Sequence, residues 1–338
     1  MPRTRPVRAA AALALALLAG PARPAPVVPV PVDVTGFMDV LWTADDLAPG
    51  DPDFQFGQVE LDFAACLSPH TCACLALARC PGTDAFTLGS ATVEYLIAGR
   101  GTDCRHHYEK WDRSGIAVGR FDVPFGVDWR VYPSVDRRTI SAPDVVGFTH
   151  CGWNEVGAMA FIEAPRYTAR AWLTNGLAAE LALPDAAPVP LATESALGAR
   201  ASVLPCPGVE VGFSGSTFDA VTDGQSMAIW GADLTGAAGP WALTAEYIRH
   251  DLHFGPGTGG EVFHRGWYAQ GVRDLDGWYL FARYDLVTAD TAGQADLRTF
   301  TGGLGLAVAA PAELRFEYRG ALDDGRDDSW QTQLVAGF

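Results

Sequence analysis

The chain has 338 residues and a formal net charge of −16, with 40 acidic residues against 24 lysines and arginines. So acidic a chain is not expected to bind nucleic acid, whose phosphates would repel it. Beyond the N-terminal segment, no apolar run reaches the roughly 20 residues that a membrane-spanning helix requires. The composition therefore excludes a nucleic-acid-binding protein and a helical membrane protein.

The N-terminus has the pattern of a secretory signal peptide. Three arginines precede an unbroken apolar run over residues 9–19, and small residues and prolines follow over 20–26. The apolar run is too short for a transmembrane helix and has the length of a signal-peptide core. We therefore predict a signal peptide over residues 1–26 and a single mature domain over 27–338. Removing the four arginines of the signal peptide takes the formal charge of the chain to −20.

The chain has seven cysteines. Four of them lie between residues 66 and 80, close to His70. In an exported chain thiols can oxidise, and an odd number leaves at least one outside an intramolecular pair. Neither this group nor Cys104 beside His106 and His107 has the paired spacing of a structural zinc site. We therefore predict no metal and no cofactor, and the pairing of the cysteines stays open.

From about residue 32 onward, apolar and polar residues alternate with a period of two. In the clearest stretch, Leu314, Phe316 and Tyr318 alternate with Arg315 and Glu317. Only a strand separates two such sets onto opposite faces. We predict sixteen strands, and because the third has the weakest pattern, fourteen remains an alternative. The predicted strands are 32–43, 54–66, 72–79, 85–98, 114–122, 154–164, 166–176, 195–204, 208–215, 225–235, 240–250, 265–273, 277–287, 297–308, 312–320 and 330–338.

Short and long connections alternate between these strands. Residues 236–239 form a short turn, whereas 123–153 and 177–194 form long loops. Short periplasmic turns and long outer loops are typical of an outer-membrane barrel. The connection 99–113 is the exception, because it is long where a short turn is expected. With the signal peptide, this pattern predicts an all-β fold, a transmembrane antiparallel β-barrel in the bacterial outer membrane.

Charged residues on the strands mark the face that is expected to line the barrel interior, or lumen. Barrels of this type turn apolar side chains to lipid and polar ones inward. Acidic groups outnumber arginines among them, so we expect either a preference for cations or none. The lumen candidates are Glu60, Asp62, Glu94, Arg170, Glu246, Arg283, Asp285, Glu313, Arg315, Glu317 and Arg319, together with Glu163, Arg200 and Asp233.

The long connection 123–153 carries a second set of charges. Its candidates for a pore constriction are Asp128, Arg130, Asp136, Arg137 and Arg138. If the segment folds into the lumen, its three arginines face the solute. If it is an external loop, the same charges are solvated. We favour the first interpretation, because a connection of this length is usually functional or disordered.

Several short motifs resemble those of a known porin family. Residues Gly119–Gly126 (GRFDVPFG) are similar to the segment that opens the long loop in phosphate-selective porins (porins O and P). The similarity continues in order through Asn175–Gly176, Gly231–Asp233, Ala245–Tyr247, Gly266–Tyr268 and Ala282–Asp285. The resemblance implies a sixteen-stranded, trimeric diffusion channel. It does not establish phosphate selectivity, because Lys110 is the only lysine, although arginines can also bind phosphate.

The C-terminal strand ends in Phe338 and resembles the signal that barrel-assembly machinery recognises. We therefore expect that machinery and outer-membrane lipid as partners, with small hydrophilic solutes or ions as cargo. No Gly-x-Ser-x-Gly motif is present, and most histidines lie in loops, so we predict no enzymatic activity. Two alternatives remain. One is a barrel with an adhesive or scaffolding role and no general conductance, and the other is a secreted soluble β-protein.

Overall fold

The computed structural model describes residues 29–45, 53–79, 85–99, 112–181, 189–220, 226–253, 261–289, 296–322 and 328–338. Residues 32–338 belong to one compact unit. The predicted signal peptide, residues 1–26, lies outside the described residues. Within the described ranges, no helix is long and apolar enough to cross a membrane.

The described residues contain seventeen strand segments and two short helices. The first nine strand segments are β1 (Asp33–Asp45), β2 (Asp53–Ser68), β3 (Thr71–Arg79), β4 (Thr87–Ala98), β5 (Arg113–Asp122), β6 (Asn154–Ala164), β7 (Tyr167–Thr174), β8 (Ala178–Leu181) and β9 (Val189–Cys206). The other eight are β10 (Val209–Ala220), β11 (Ser226–Ala238), β12 (Trp241–His253), β13 (Glu261–Leu275), β14 (Trp278–Ala289), β15 (Leu297–Ala309), β16 (Ala312–Ala321) and β17 (Ser329–Gly337). The helices α1 (Asp128–Val131) and α2 (Asp144–Gly147) lie between β5 and β6.

The segments β7 and β8 are two parts of one barrel strand. Both pair with β9 in the same register, because Thr174 lies opposite Ala196 and Ala178 lies opposite Ala192. Only residues 175–177 separate β7 from β8. Since β1 pairs with both β2 and β17, the sheet is a closed antiparallel barrel of sixteen strands.

The prediction of sixteen strands is confirmed, and the alternative of fourteen is wrong. The weakest predicted strand is β3, which pairs with β2 from Thr71 to Arg79. The prediction of a loop over 177–194 is wrong at both ends, where β8 and the first residues of β9 form a hairpin. The pairing with β9 resumes after the interruption at 175–177.

The two rims of the barrel differ in the length of their connections. Six two-residue turns join strands at one rim, at 69–70, 165–166, 207–208, 239–240, 276–277 and 310–311. Three of them use a glycine with positive φ, namely Gly208, Gly239 and Gly277. At the same rim, β4 and β5 are joined by the longer connection 99–112, of which residues 100–111 lie outside the described part.

The two faces of the sheet carry different side chains. On β14, Trp278 and Leu280 are exposed on the outer face, whereas Arg283 and Asp285 are buried. On β16, Phe316 is 39% exposed, while Arg315 and Glu317 are 1% and 2% exposed. An apolar outer surface around a polar interior is the arrangement of a barrel whose strands contact lipid.

Residues 123–153 lie inside the barrel. The backbone N–H of Ser134 donates to Gln58 on β2, and that of Gly126 donates to Ser214 on β10. These strands stand on opposite sides of the ring, so the segment crosses the interior. We call residues 123–153 the inner segment.

An apolar cluster fills the interior on one side of the barrel. Phe125, Val145, Val146 and Trp153 of the inner segment contribute to this cluster. The rest of its buried members are Phe121, Trp172, Leu177, Ala196, Phe218, Met227, Ile229, Ile248, Leu252, Tyr268, Val287 and Leu297. None of the described cluster residues belongs to β1–β4, so the apolar filling lies on the side of β5–β15.

Candidate functional site

Arg283 and Asp285 on β14 hold the second half of the inner segment. The Arg283 guanidinium donates to the carbonyls of Ser141 and Ala142, at 2.9 and 3.0 Å, and to the Ser141 hydroxyl at 3.0 Å. Its Nε donates to Asp285 at 2.8 Å. Asp285 in turn accepts the backbone N–H of Asp144 at 3.0 Å. A single pair of wall residues therefore fixes Ser141, Ala142 and Asp144 of the segment by hydrogen bonds to charged groups, which are stronger than neutral ones.

Two strands further along the sheet, β16 holds the segment in the same way. Glu317 accepts the backbone N–H groups of Ile140 and Ser141 at 2.7 and 3.0 Å. Arg315 donates to the carbonyl of Ser134 at 2.6 Å and to Gln333 at 3.1 Å. Farther along β16, Arg319 forms an ion pair with Asp144 of the inner segment.

Arg138 lies against the wall near the rim with the short turns. Its guanidinium is 3.5 Å from Asp274 and 3.7 Å from Glu313, and it covers the ring of Tyr279 at 4.7 Å. The Tyr279 hydroxyl hydrogen-bonds to Glu313 and lies 3.0 Å from the Arg138 carbonyl. The Arg138 side chain is 47% exposed, so solvent screens these two ion pairs.

The first half of the inner segment contacts the opposite wall. Arg130 forms a two-pronged ion pair with Glu210 on β10, at 2.9 and 2.8 Å. The Trp129 ring lies between the guanidinium groups of Arg130 and Arg170, at 5.2 and 4.8 Å. A planar guanidinium suits both contacts, because it binds a carboxylate through two nitrogens and stacks on aromatic faces.

The arginines of this wall are also compensated by carboxylates. Arg200 pairs with Asp233, and Arg170 pairs with Glu163. Arg113 contacts Glu163 at 2.5 Å and Glu94 at 3.2 Å. Positive and negative side chains therefore alternate along β4–β11 with little net charge.

Gly126 allows the inner segment to approach the wall closely. A Cβ atom at this position would lie 1.8 Å from Oε1 of Glu246, and φ of Gly126 is +59°. Glu246 on β12 is buried and receives a hydrogen bond from the Tyr268 hydroxyl at 3.2 Å. Glycine is therefore required at position 126 for two reasons: its φ is positive, and a side chain would overlap Glu246.

Two titratable groups of the inner segment are buried. Burial raises the pKa of Asp128 to about 6, although its carboxylate accepts the backbone N–H of Gly152 at 3.1 Å. Burial lowers the pKa of His150 to about 3, and its Nδ1 lies 2.9 Å from the Thr149 hydroxyl. Both shifts disfavour the charged form inside the barrel.

A group of carboxylates lies where the inner segment faces β2. Glu60 and Asp62 occupy alternate positions on β2, and Glu60 is within electrostatic range of Asp122 and Asp136. Within the described ranges, no arginine forms an ion pair with Glu60, Asp62 or Asp136. Arg137, the remaining cation of the inner segment, covers the Tyr132 ring at 6.0 Å.

The structure therefore divides the candidate residues into three groups. The first group lies at the wall of β14–β16 and contains Arg283, Asp285, Glu313, Arg315, Glu317 and Arg319, with Arg138 of the segment against it. The second lies along β4–β10 and contains Arg130, Arg170 and Glu94. Glu246 lies between these walls, on β12 against Gly126. Glu60, Asp62 and Asp136 form the third group. Sequence reasoning missed Glu210, Ser134, Ser141, Tyr279 and Gln58, which complete the contacts. Their partners are 76 to 181 residues away in the chain, so no local pattern indicates them.

Among the described residues, no three His, Cys, Asp or Glu side chains are placed to hold a metal ion.

Solved structures of outer-membrane proteins resemble this barrel. A loop-deletion mutant of OmpT from Vibrio cholerae aligns over 91% of this chain and 99% of its own, with 11% identity and a TM-score of 0.65. OmpF of Salmonella typhi, in complex with daunomycin, covers 91% and 97%, with 10% identity and a TM-score of 0.64. A mutant of the Rh. blastica porin covers 91% and 100%, with 10% identity and a TM-score of 0.56.

No protein-family model matches the chain, and no curated protein matches it in sequence. Identities this low show a shared fold only. They do not support the resemblance to phosphate-selective porins in particular. The chain has the fold of a porin-type outer-membrane β-barrel.

Proposed function

We propose that the protein is a diffusion channel of the bacterial outer membrane for small hydrophilic solutes or ions, with a preference for cations. The observation that carries the proposal is the inner segment, which crosses the interior and contacts opposite walls. A segment in this position narrows the interior of the barrel. A passage stays open where the segment does not contact the wall. Selectivity is then set by the charges at the narrowing.

The passage is proposed to run along β1–β4. The apolar cluster fills the other side of the interior, and its members come from the inner segment and from strands beyond β4. On the β2 side, the inward side chains are Gln58, Glu60 and Asp62, which are polar and suit water. Ions would therefore pass beside these carboxylates.

The preference for cations follows from how the charges are paired. Arg130 and Arg138 are compensated by Glu210, Asp274 and Glu313, so they attract few anions. Glu60, Asp62 and Asp136 form no ion pair among the described residues, although Arg315 acts on Asp136 electrostatically. In a narrow passage of reduced dielectric constant, uncompensated carboxylates favour cations.

Single-channel recording of the purified protein in planar bilayers tests this proposal. The zero-current potential in a KCl gradient should indicate a preference for K⁺, and the double variant Glu60→Gln, Asp62→Asn should reduce it. Asp251→Asn is the matched control, because it removes one charge on the outward face of β12. Equal potentials for both variants would contradict the assigned passage. A protein that inserts but conducts no ions would support the adhesive or scaffolding alternative.

The export route and assembly are also proposals. The fold agrees with cleavage of residues 1–26, delivery by barrel-assembly machinery and residence in outer-membrane lipid. A homotrimer is proposed because OmpT of Vibrio cholerae is known in a trimer form. N-terminal sequencing of protein from the outer-membrane fraction would test cleavage and location together. Cross-linking of the same material would test the trimer.

A further inference from the structure

Two cysteines face each other across the first short turn of the barrel. Cys66 of β2 lies directly opposite Cys72 of β3, and their Sγ atoms are 2.9 Å apart. Both lie on the same face of the hairpin as Asp62, because Asp62 and Cys66 are four residues apart on one strand. The two thiols therefore meet on the inward face, next to the turn at 69–70.

Strand geometry favours this pair over the other combinations nearby. Residues directly opposite in an antiparallel pair have Cα atoms about 4.5–5.5 Å apart, within the roughly 4.4–6.8 Å that a disulfide spans. Cys74 lies opposite Ala64, so it is diagonal to Cys66, at a distance of about 7–8 Å. Cys72 and Cys74 are two positions apart on one strand, about 6.6 Å along it, with Ala73 between them. The Cys66–Cys74 distance therefore exceeds the disulfide range and the Cys72–Cys74 distance lies at its upper end, whereas the distance between Cys66 and Cys72 lies well inside it.

We propose that Cys66 and Cys72 form a disulfide in the mature protein. The reaction is thiol–disulfide exchange with an oxidised dithiol enzyme of the exported compartment. The thiolate of one cysteine attacks the enzyme disulfide and releases one enzyme thiolate. The second cysteine thiolate then attacks the mixed disulfide, so that the Cys66–Cys72 bond forms and the enzyme leaves as a dithiol. Two electrons pass to the enzyme, and the proposal rests on export of the chain.

The bridge would fix the register of a hairpin that its side chains specify weakly. β3 carries alanines at positions 73, 76 and 78, and the pairing is irregular between Cys66 and Ser68. A slip of one residue would turn every side chain of a strand to the other face. The bond would therefore hold Glu60 and Asp62, four to six residues away on β2, toward the interior.

Differential alkylation of protein taken from the outer membrane tests the pairing. Free thiols are blocked with one reagent under denaturing conditions, the protein is reduced, and the newly released thiols are labelled with a second reagent. Mass spectrometry should find the second label on Cys66 and Cys72. Cys74→Ser should leave the pattern unchanged, whereas Cys66→Ser should move Cys72 to the first label.

Blocking of Cys66 and Cys72 before reduction, or a bond from either one to Cys74, would overturn the proposal. A second arm separates geometry from compartment. Reduced protein refolded in detergent is treated with oxidised glutathione and labelled in the same way. If the bond forms in the refolded protein but not in cells, the export step of the proposal is wrong. If the bond forms in neither, the geometric argument is wrong.

Discussion

Gly126 is the position where the inner segment has least room. A methyl group there would meet Glu246 at 1.8 Å, and a positive φ costs a residue with a Cβ about 1–2 kcal/mol. We expect Gly126→Ala to push the segment away from β12 and toward the proposed passage along β1–β4, and so to lower the single-channel conductance. Gly147→Ala is the control, because no atom lies within 4 Å of its added Cβ. Equal conductance in both variants would show that the segment does not limit the passage.

Asp128 should make stability depend on pH. Its pKa is raised from 3.8 to about 6 by burial, so the folded state binds the proton more tightly than the unfolded state does. The protonated form therefore stabilises the fold, and that contribution is lost as pH rises from about 4 through 6. Asp128→Asn lacks the charge, so it should be more stable than wild type at pH 7, by at most about 3 kcal/mol.

The advantage of Asp128→Asn should disappear by about pH 4. Heat-induced loss of the folded band on a gel, followed from pH 7 to pH 4, measures it. His150, whose pKa is lowered to about 3, titrates in both proteins and cancels in the comparison. An advantage that stays constant with pH would mean that the Asp128 carboxyl is solvated.

At this scale the sequence predicted residue types better than residue partners. The cations of the inner segment and the charges of β14 and β16 stand out because charged residues interrupt apolar alternation. Their pairing does not stand out. Arg130 contacts Glu210, and Glu317 contacts Ile140, because the inner segment crosses the interior. The sequence of that segment has no two-residue alternation from which its path could be predicted.

At the scale of single elements, alternation predicted both the strands and their faces. Phe316 and Arg315 lie on opposite faces of β16, as the period of two requires. The hairpin of β8 and β9 was missed because Asn175–Leu177 interrupt the pairing and prolines follow. Strand pairing across a gap depends on the partner strand, which local sequence does not reveal.

The outer face should not tolerate charge at mid-strand. Phe316→Arg would place a guanidinium toward lipid, at a cost of about 2–4 kcal/mol near the bilayer midplane. We expect a large loss of folding yield into lipid vesicles. Gln331→Arg is the matched control, because Gln331 pairs with Glu317 on the inward face of the neighbouring strand. Equal losses would mean that the two faces are assigned wrongly.

At the scale of the whole molecule, the last residue takes part in the seam that closes the barrel. The backbone N–H of Phe338 donates to Gly36 at 2.9 Å, and that of Gly36 donates back at 3.1 Å. Deletion of Phe338 removes both bonds at the seam between β1 and β17, so it should lower the amount of protein in the outer-membrane fraction. Phe338→Tyr keeps the backbone and the ring and should assemble normally. A normal yield of the truncated chain would refute the role of Phe338 in assembly.

The ion preference of the barrel depends on the balance between the inner segment and its walls. Replacing Arg130, Arg137 and Arg138 together by alanine would leave Glu210 with Arg200, and Glu313 with Arg315, as the one remaining ion-pair partner among the described residues. Three positive charges would be lost inside a narrow passage, where charges act at a reduced dielectric constant. We therefore expect the zero-current potential in a KCl gradient to shift further toward cations.

Two controls separate charge from displacement of the segment. Lysine at the same three positions keeps the charge but loses the two-pronged contact with Glu210, so it should keep the wild-type potential even if conductance changes. Arg249→Ala removes a cation that pairs with Asp251 on the outward face of β12 and should have no effect. On an external loop, salt would screen the three charges beyond about 8–10 Å. An unchanged potential in the triple alanine variant would therefore place these arginines away from the ion path and leave the preference to Glu60 and Asp62 alone.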